Sequence, residues 1–420
     1  VLDILMNDIL ATPAILVGLF ALIGLLLQKK DASSIISGTL KTIMGFVIIG
    51  AGAGVIIGAL TIFGRMFDHA FSIDGVIPNN EAIVAVAQDA FGTETAMIMV
   101  FGMIANIIFA RITKFKYIFL TGHHTLFMAC LLAATLSVGG LDGFMLVVVG
   151  SILLGLCMVL FPALVQPYVR QITGSDDFAI GHFGSVGYFV AGTIGKYFGN
   201  KEKTTEQIKV PKQLGFLRDT SVAVSLTMTI IFIVVALFAG QSYIESELSA
   251  GSNFIVFSLI QAITFAAGVY IVLAGVRMLI SEIVPAFKGI ADKLVPNAKP
   301  ALDCPTVFPF APNAVIIGFL ASFLAGIISM FLLPLFGLKI IVPGLVPHFF
   351  TGAAAGVFGN ATGGRRGAIL GAVANGILIS FLPAILLPLL GTLGFENTTF
   401  GDSDFAIVGI LVSLVASLFD

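Results

Sequence analysis

Tryptophan is absent from this 420-residue chain, charged residues make up only 10% of it, and cysteine occurs three times. So little charge excludes a set of soluble domains, whose charged share is about 25%, and with them a soluble catalytic domain. A formal net charge of −2 with no basic tract leaves no electrostatic footprint for nucleic acid. Cys130, Cys157 and Cys304 lie in apolar contexts without CxxC spacing, which speaks against disulfides and a structural zinc site. Without tryptophan, an aromatic belt has to be built from the 38 Phe and 6 Tyr.

What fills the chain instead is apolar: 58% of residues are hydrophobic and the mean hydropathy is +1.08. Runs of about 20 apolar residues, enough to cross a bilayer as helix, recur along almost the whole length. The fold class is an all-α polytopic membrane protein. Spans are expected at 9–27, 34–62, 94–110, 117–137, 142–166, 217–239, 253–281, 312–336, 366–390 and 403–419. Residues 9–27 resemble the apolar core of a signal peptide, but no basic segment precedes them and Lys29 and Lys30 follow, so they read as a retained first span. Threading the chain through these spans places nearly all of the 21 Lys and Arg on one side and leaves Arg65, Lys339, Arg365 and Arg366 for the other. By the positive-inside rule the first side is cytoplasmic and the N-terminus external.

Three stretches are too short or too polar for ordinary spans: Asp74 to Phe91, Thr173 to Gly187 and Thr351 to Gly364. Broken backbone is tolerated at membrane depth only where protein buries it or it lines a water-filled cavity, so function is expected there. The run Gly50-Ala51-Gly52-Ala53-Gly54 inside the second span reads either as a close-packing surface or as an unwound stretch offering backbone to a ligand, and its three alternate glycines favour the second. A weak duplication pairs Leu40-Lys41-Thr42-Ile43 with Ile260-Gln261-Ala262-Ile263, Asp74 with Asp303, and Thr121-Gly122 with Thr351-Gly352. An odd number of crossings separates the pairs, which predicts an inverted-topology repeat: a first half over 1–215, a second, inverted half over 216–402 and a terminal span over 403–420.

Ionisable groups inside a membrane are costly and each is a functional candidate. His123 and His124 open the fourth span, His182 lies in the second broken stretch, and Glu81 and Asp303 hold loosely comparable places in the two halves. A metal site fits poorly, because His123 and His124 are adjacent and no HExxH spacing exists; no metal and no cofactor are expected. A polyol or organic anion fits better, since imidazole and carboxylate hydrogen-bond hydroxyls and half-helix N-termini at Gly181 and Gly352 favour negative charge. Arg365 and Arg366 read as headgroup anchors or as added positive potential, and Asp176 and Asp177 as a helix cap or a vestibule pair, with the cap favoured.

Thr121-Gly122-His123, Phe178-Ala179-Ile180-Gly181-His182, Ala301-Leu302-Asp303-Cys304, Phe310-Ala311-Pro312-Asn313-Ala314-Val315 and the glycine-rich run from Gly356 to Gly364 closely resemble the membrane component, enzyme IIC, of ascorbate-type permeases of the bacterial phosphoenolpyruvate-dependent phosphotransferase system. The resemblance covers essentially the full chain. It implies a homodimer in the bacterial inner membrane, with eleven spans per subunit and an inverted repeat. One crossing beyond the ten above would then lie in 172–195 or 338–364. A scaffold domain would hold the dimer while a core domain carries the sugar inward by an elevator-like motion. A cytosolic enzyme IIB, phosphorylated on cysteine and supplied by enzyme IIA, would then phosphorylate the substrate. This makes the chain the transport subunit of a multicomponent phosphotransferase rather than the phosphoryl-transfer enzyme itself. By position in the matching motifs, His123, His182, Asp303 and Glu81 would bind L-ascorbate or a related sugar acid or polyol. The backbones of Gly52-Ala53 and Thr351-Gly352 would complete the site, with Phe349 or Phe350 as an apolar wall. Phe127, Met128, Phe183 and Gly184 stand near positions where the ascorbate pattern has glutamines, which puts the identity of the sugar in doubt more than the class of transport. The residues alone leave two other readings open: an ion-coupled secondary carrier of a small organic anion, and an intramembrane enzyme using His123 and His182 as acid and base.

Overall fold

A computed structural model describes residues 12–71, 75–78, 80–208, 220–390 and 398–416. Twelve α-helices and five short strands follow one another among them. These are α1 (Pro13–Leu27), α2 (Ala32–Phe71), β1 (Ile77–Pro78), α3 (Asn80–Ile112), β2 (Tyr117–Phe119), α4 (Gly122–Val138), α5 (Gly143–Thr173), β3 (Ala179–Ile180), α6 (Ser185–Phe198), α7 (Thr220–Ala239), α8 (Gln241–Tyr243), α9 (Phe254–Lys293), β4 (Lys299–Leu302), α10 (Pro312–Leu332), α11 (Leu345–Leu390), β5 (Thr398–Thr399) and α12 (Ser403–Ala416). Among the described residues six helical segments are long and apolar enough to cross a membrane: Ala32–Phe71, Ala90–Ile112, Gly143–Thr173, Phe254–Ala286, Pro312–Phe336 and Leu345–Leu390. A seventh is formed if Val224–Ala239 and Gln241–Leu248, bent by 101°, count as one. The chain is an all-α polytopic membrane protein.

The glycine run in α2 is not unwound: the helix continues from Ala32 to Phe71. In lipid an intact helix satisfies every backbone group internally; the middle glycine of the run is used for packing, while Gly50 and Gly54 face open space. A Cβ on Gly52 would come within 2.7 Å of the Val272 nitrogen and 2.9 Å of the Gly268 oxygen on α9, so glycine here lets two 40-residue helices touch backbone to backbone. Lys41 and Glu282 pair across the same contact at 3.3 Å. Helices α1, α2, α7 and α9 pack mainly on one another, while α3 packs on α5 and α4, and α11 on α10 and α6.

The first two broken stretches are broken, and each includes a strand. In α3 the break is at Phe91 (φ −134°, ψ 30°), and Asp74, half of one repeat match, lies outside the described residues. Residues 117–119, expected as the start of a span, are extended before α4 begins. Strands β2, β4 and β3 form a parallel sheet in that order, and β1 pairs with β5 in parallel while Val76 bridges Ile341. Buried amide side chains satisfy strand edges that lipid could not. Asn106 donates to the Tyr117 oxygen and accepts from the Phe119 N–H, both at 3.0 Å, and Gln166 donates to the Phe178 oxygen at 3.0 Å.

The third stretch, Thr351 to Gly364, is helical, contrary to expectation, and the break comes only at its end, where Gly364 adopts φ 59°, ψ −151°, a region open essentially to glycine. The helix therefore carries the chain about 28 Å from Leu345 to Gly363. Its far end meets the loop after α6: the Arg365 N–H donates to the Lys203 oxygen at 2.7 Å and its Nε to the Thr204 oxygen at 3.0 Å. Arg365 thus sits beside Lys203, not on the opposite side as the ten-span threading placed it.

Candidate functional site

In a parallel sheet the side chains just beyond the carboxyl ends of adjacent strands converge. Beyond β2, β3 and β4 come His123, His182 and Asp303. His123 Nε2 lies 3.5 Å from Asp303 Oδ2, and His182 Nε2 lies 3.8 Å from Asp303 Oδ1. They face a cavity of about 700 Å³ between this wall and α2, which contributes Phe46, Ile49, Gly50, Leu60, Arg65 and Asp68. Four helices start at the same cavity, bringing Asn80 of α3, His123 of α4, Leu345 of α11 and, just before α12, Asp402 to its surface. Their N-terminal N–H groups add positive potential.

Hydrogen bonds fix how His182 is presented. The Gly184 N–H donates to His182 Nδ1 at 3.1 Å, and the Tyr188 hydroxyl lies 2.9 Å from the same atom. A nitrogen that accepts a backbone proton carries none, so the ring hydrogen sits on Nε2, facing Asp303. Asp303 Oδ1 in turn accepts from the Cys304 N–H at 2.6 Å. The site therefore offers an N–H donor and a carboxylate acceptor side by side, the pair that grips a hydroxyl.

The tautomer also tests a metal. Among the described residues three sets of ligand-type atoms lie close together: His123, His124 and Asp303; His124, His182 and Asp402; and His182, Asp303 and Cys304. In two of them His182 would have to bind through a lone pair that Nδ1 spends on Gly184 and Nε2 lacks. In the third, two of the three ligands are consecutive residues at a helix start. The donor set does not fit a metal ion.

The other expected site residues fall in different places. Phe350 lines the cavity, whereas Phe349 is buried among Phe265, Phe308 and Phe319. Thr351 and Gly352 lie inside α11, where the helix uses their backbone groups. The Thr351 hydroxyl bonds the Pro347 oxygen at 2.8 Å and receives the Asn375 amide at 3.0 Å, and Gly352 packs on Ser322 of α10. Gly52 faces α9, not the cavity. Ala53 and Glu81 lie in α2 and α3, and their side chains lie outside the described ones. Phe127 lines the cavity, Met128 is fully buried, and Phe183 stacks on Phe119 with ring centroids 5.0 Å apart.

Sequence reasoning missed Asn80, Asp402 and Asp404, and gave His124 no role. His124 is buried and lies parallel to Phe405, with ring centroids 5.6 Å apart. The signal for the acidic pair was Gly401-Asp402-Ser403-Asp404 just before an apolar run, a helix-start pattern. Gly401-Asp402 also stands to β5 much as Gly181-His182 stands to β3.

At the opposite end of the strands, Asp176 accepts from Arg170 Nε at 2.8 Å, from Gln166 Nε2 at 2.7 Å and from Lys299 Nζ. It is an ion-pair centre, not a helix cap. Burial raises its pKa, but these donors more than offset that and hold it at about 2. Because Lys299 opens β4, the cluster pins the strand whose other end carries Asp303.

The chain is 28% identical to the ascorbate-specific PTS system EIIC component of Mycoplasma pneumoniae. The alignment covers 87% of this chain and 63% of that relative's length, so the chain spans less than two thirds of it. Over residues 8–404 the sequence matches the EIIC-GAT family, the PTS system sugar-specific permease components. With that match and the apolar spans, this chain belongs to the sugar-specific permease family of the phosphotransferase system and is a multi-pass protein of the inner membrane.

Proposed function

We propose that this chain binds L-ascorbate, or a related sugar acid or polyol, between His123, His182 and Asp303. It then turns the substrate inward for phosphorylation by a cytosolic enzyme IIB charged through enzyme IIA. The observation that carries this is Asp303 facing the Nε2 atoms of both histidines inside a cavity large enough for a small sugar. An imidazole N–H beside a carboxylate answers a hydroxyl, which donates and accepts at once. The similarity to a relative named as ascorbate-specific supports the choice of first substrate.

The cavity lies between α2, which packs with α1, α7 and α9, and a wall built from the other helices. That division supports a scaffold and a moving core, hence an elevator-like step, in a homodimer whose halves are inverted repeats. One sheet joins β2 and β3 of the first half to β4 of the second. The other elements, Ile341 and β5 of the second half, pair with Val76 and β1 of the first. Such an exchange is what an in-plane two-fold axis produces.

The test is uptake of labelled ascorbate into membrane vesicles with and without a phosphoryl donor chain, in the presence of an ionophore. Accumulation of sugar phosphate only with the donor chain is expected. Unmodified ascorbate concentrated against its gradient without donor would overturn the proposal and favour an ion-coupled carrier.

A further inference from the structure

The cavity wall holds a second carboxylate beyond the three residues above. Asp402 is 4% exposed, lines the cavity, and has an oxygen within 4.8 Å of a ring nitrogen of both His124 and His182. One amide helps to hold it. Asn80 Nδ2 donates to Asp402 Oδ2 at 2.9 Å, while Asn80 Oδ1 accepts the Gly401 N–H at 2.8 Å. Backbone and side chain of the loop before α12 are thereby held by the first residue of α3. Beside them His124, also 4% exposed, keeps a buried Nδ1 without a hydrogen-bond partner, so that ring nitrogen has polar capacity that the described residues do not use.

An ionised carboxylate only accepts hydrogen bonds. Buried as Asp402 is, such a group attracts hydroxyl donors and repels negative charge more strongly than it would in solution. Resting on the permease reading above, we propose that Asp402, positioned by Asn80, is a specificity-determining residue. It accepts a substrate hydroxyl and penalises substrates that bring negative charge to this wall. Removing that charge therefore shifts the relative affinity towards an anion such as ascorbate and away from a neutral compound of the same size and ring. The facing wall contributed by α2 carries one group of each sign, Arg65 and Asp68. Discrimination of this kind arises from what the wrong ligand suffers as much as from what the right one gains.

The test uses a matched pair: L-ascorbate, an anion at pH 7, and L-galactono-1,4-lactone, a neutral five-membered lactone with similar hydroxyls. Equilibrium binding of both is measured on the full chain in lipid nanodiscs for wild type, Asp402→Asn, Asn80→Ala and Asp303→Asn. Asp402→Asn keeps an acceptor for Asn80 and removes the charge. It should shift the affinity ratio towards ascorbate by about tenfold or more, a change on the scale of one removed charge contact. Asn80→Ala should shift the ratio in the same direction by less, because it only loosens Asp402, and Asp303→Asn should weaken both ligands. A ratio unchanged in folded Asp402→Asn, or a fall equal for both ligands, overturns the assignment and leaves the permease reading standing. If Asp402→Asn does not fold, an unchanged ratio in Asn80→Ala overturns it. Wild type that binds neither compound overturns the permease reading and this inference together.

Discussion

Asp404 on α12 closes the N-terminus of α6, 219 residues away: its Oδ2 accepts the Ser185 N–H at 2.8 Å and its Oδ1 accepts the Val186 N–H at 2.9 Å. The return contact is the Asp404 N–H on the Phe183 oxygen at 3.0 Å. Two helix starts therefore interlock directly behind His182. Asp404→Ala leaves one buried and one part-buried N–H group without acceptors, and we expect a loss of about 1–3 kcal/mol. Asp404→Asn, which keeps one acceptor, should lose about half. Thermal unfolding in nanodiscs measures both, and equal unfolding temperatures for wild type and Asp404→Ala would refute the role.

Substrate binding is expected to depend on Asp303 and His182 separately. Removing either leaves the other facing an unmatched hydroxyl at a cost of roughly 1–3 kcal/mol, which is about 5- to 150-fold in Kd. Binding assays on Asp303→Asn and His182→Ala decide it. Undiminished affinity in both variants would mean that the site lies elsewhere.

Acid should weaken the Asp176 cluster over a defined window. Its folded pKa of about 2 lies below the unfolded value of 3.8. Its contribution to stability is therefore complete above about pH 4 and is lost as pH falls through about 2. The carboxylate is nearly half exposed, so solvent screening keeps the effect small. The difference in unfolding temperature between wild type and Asp176→Asn should be flat from pH 7 to about 4 and shrink below that. A difference that grows on acidification would contradict the assignment.

Topology has a direct check. Because Arg365 bonds the loop at Lys203 and Thr204, Lys203→Cys and Arg365→Cys should react with a membrane-impermeant thiol reagent from the same face. Labelling from opposite faces would restore the ten-span threading.

The chain's class and its central triad were legible because composition and intramembrane charge are local signals. His123, His182 and Asp303 each stood out alone as an expensive group beside a helix break. Gly52 misled because alternating glycines serve two purposes, and only the α9 backbone opposite decides between them. The strand at Tyr117–Phe119 was hidden inside an apolar run, where hydropathy cannot tell extended from helical chain. Its stabilising partner, Asn106, lies on another element. Asp402 was missed for a related reason: before an apolar helix an acidic residue reads as a solvated cap, and its burial depends on Asn80, far away in sequence.

Pairing of Ile77 and Pro78 with Thr398 and Thr399 has a consequence for biosynthesis. The first strand of this sheet leaves the ribosome roughly 320 residues before its partner, which at about 5–20 residues per second means a wait of roughly 15–65 s. During that time the strand's edge has no partner, and the hydrocarbon of a membrane offers no water to satisfy it. The nascent chain would therefore hold this segment outside the hydrocarbon, or against an insertion factor, until residues 398–399 are made. Truncation just before residue 398 should then yield a chain whose first half is already inserted yet cleared by membrane proteases.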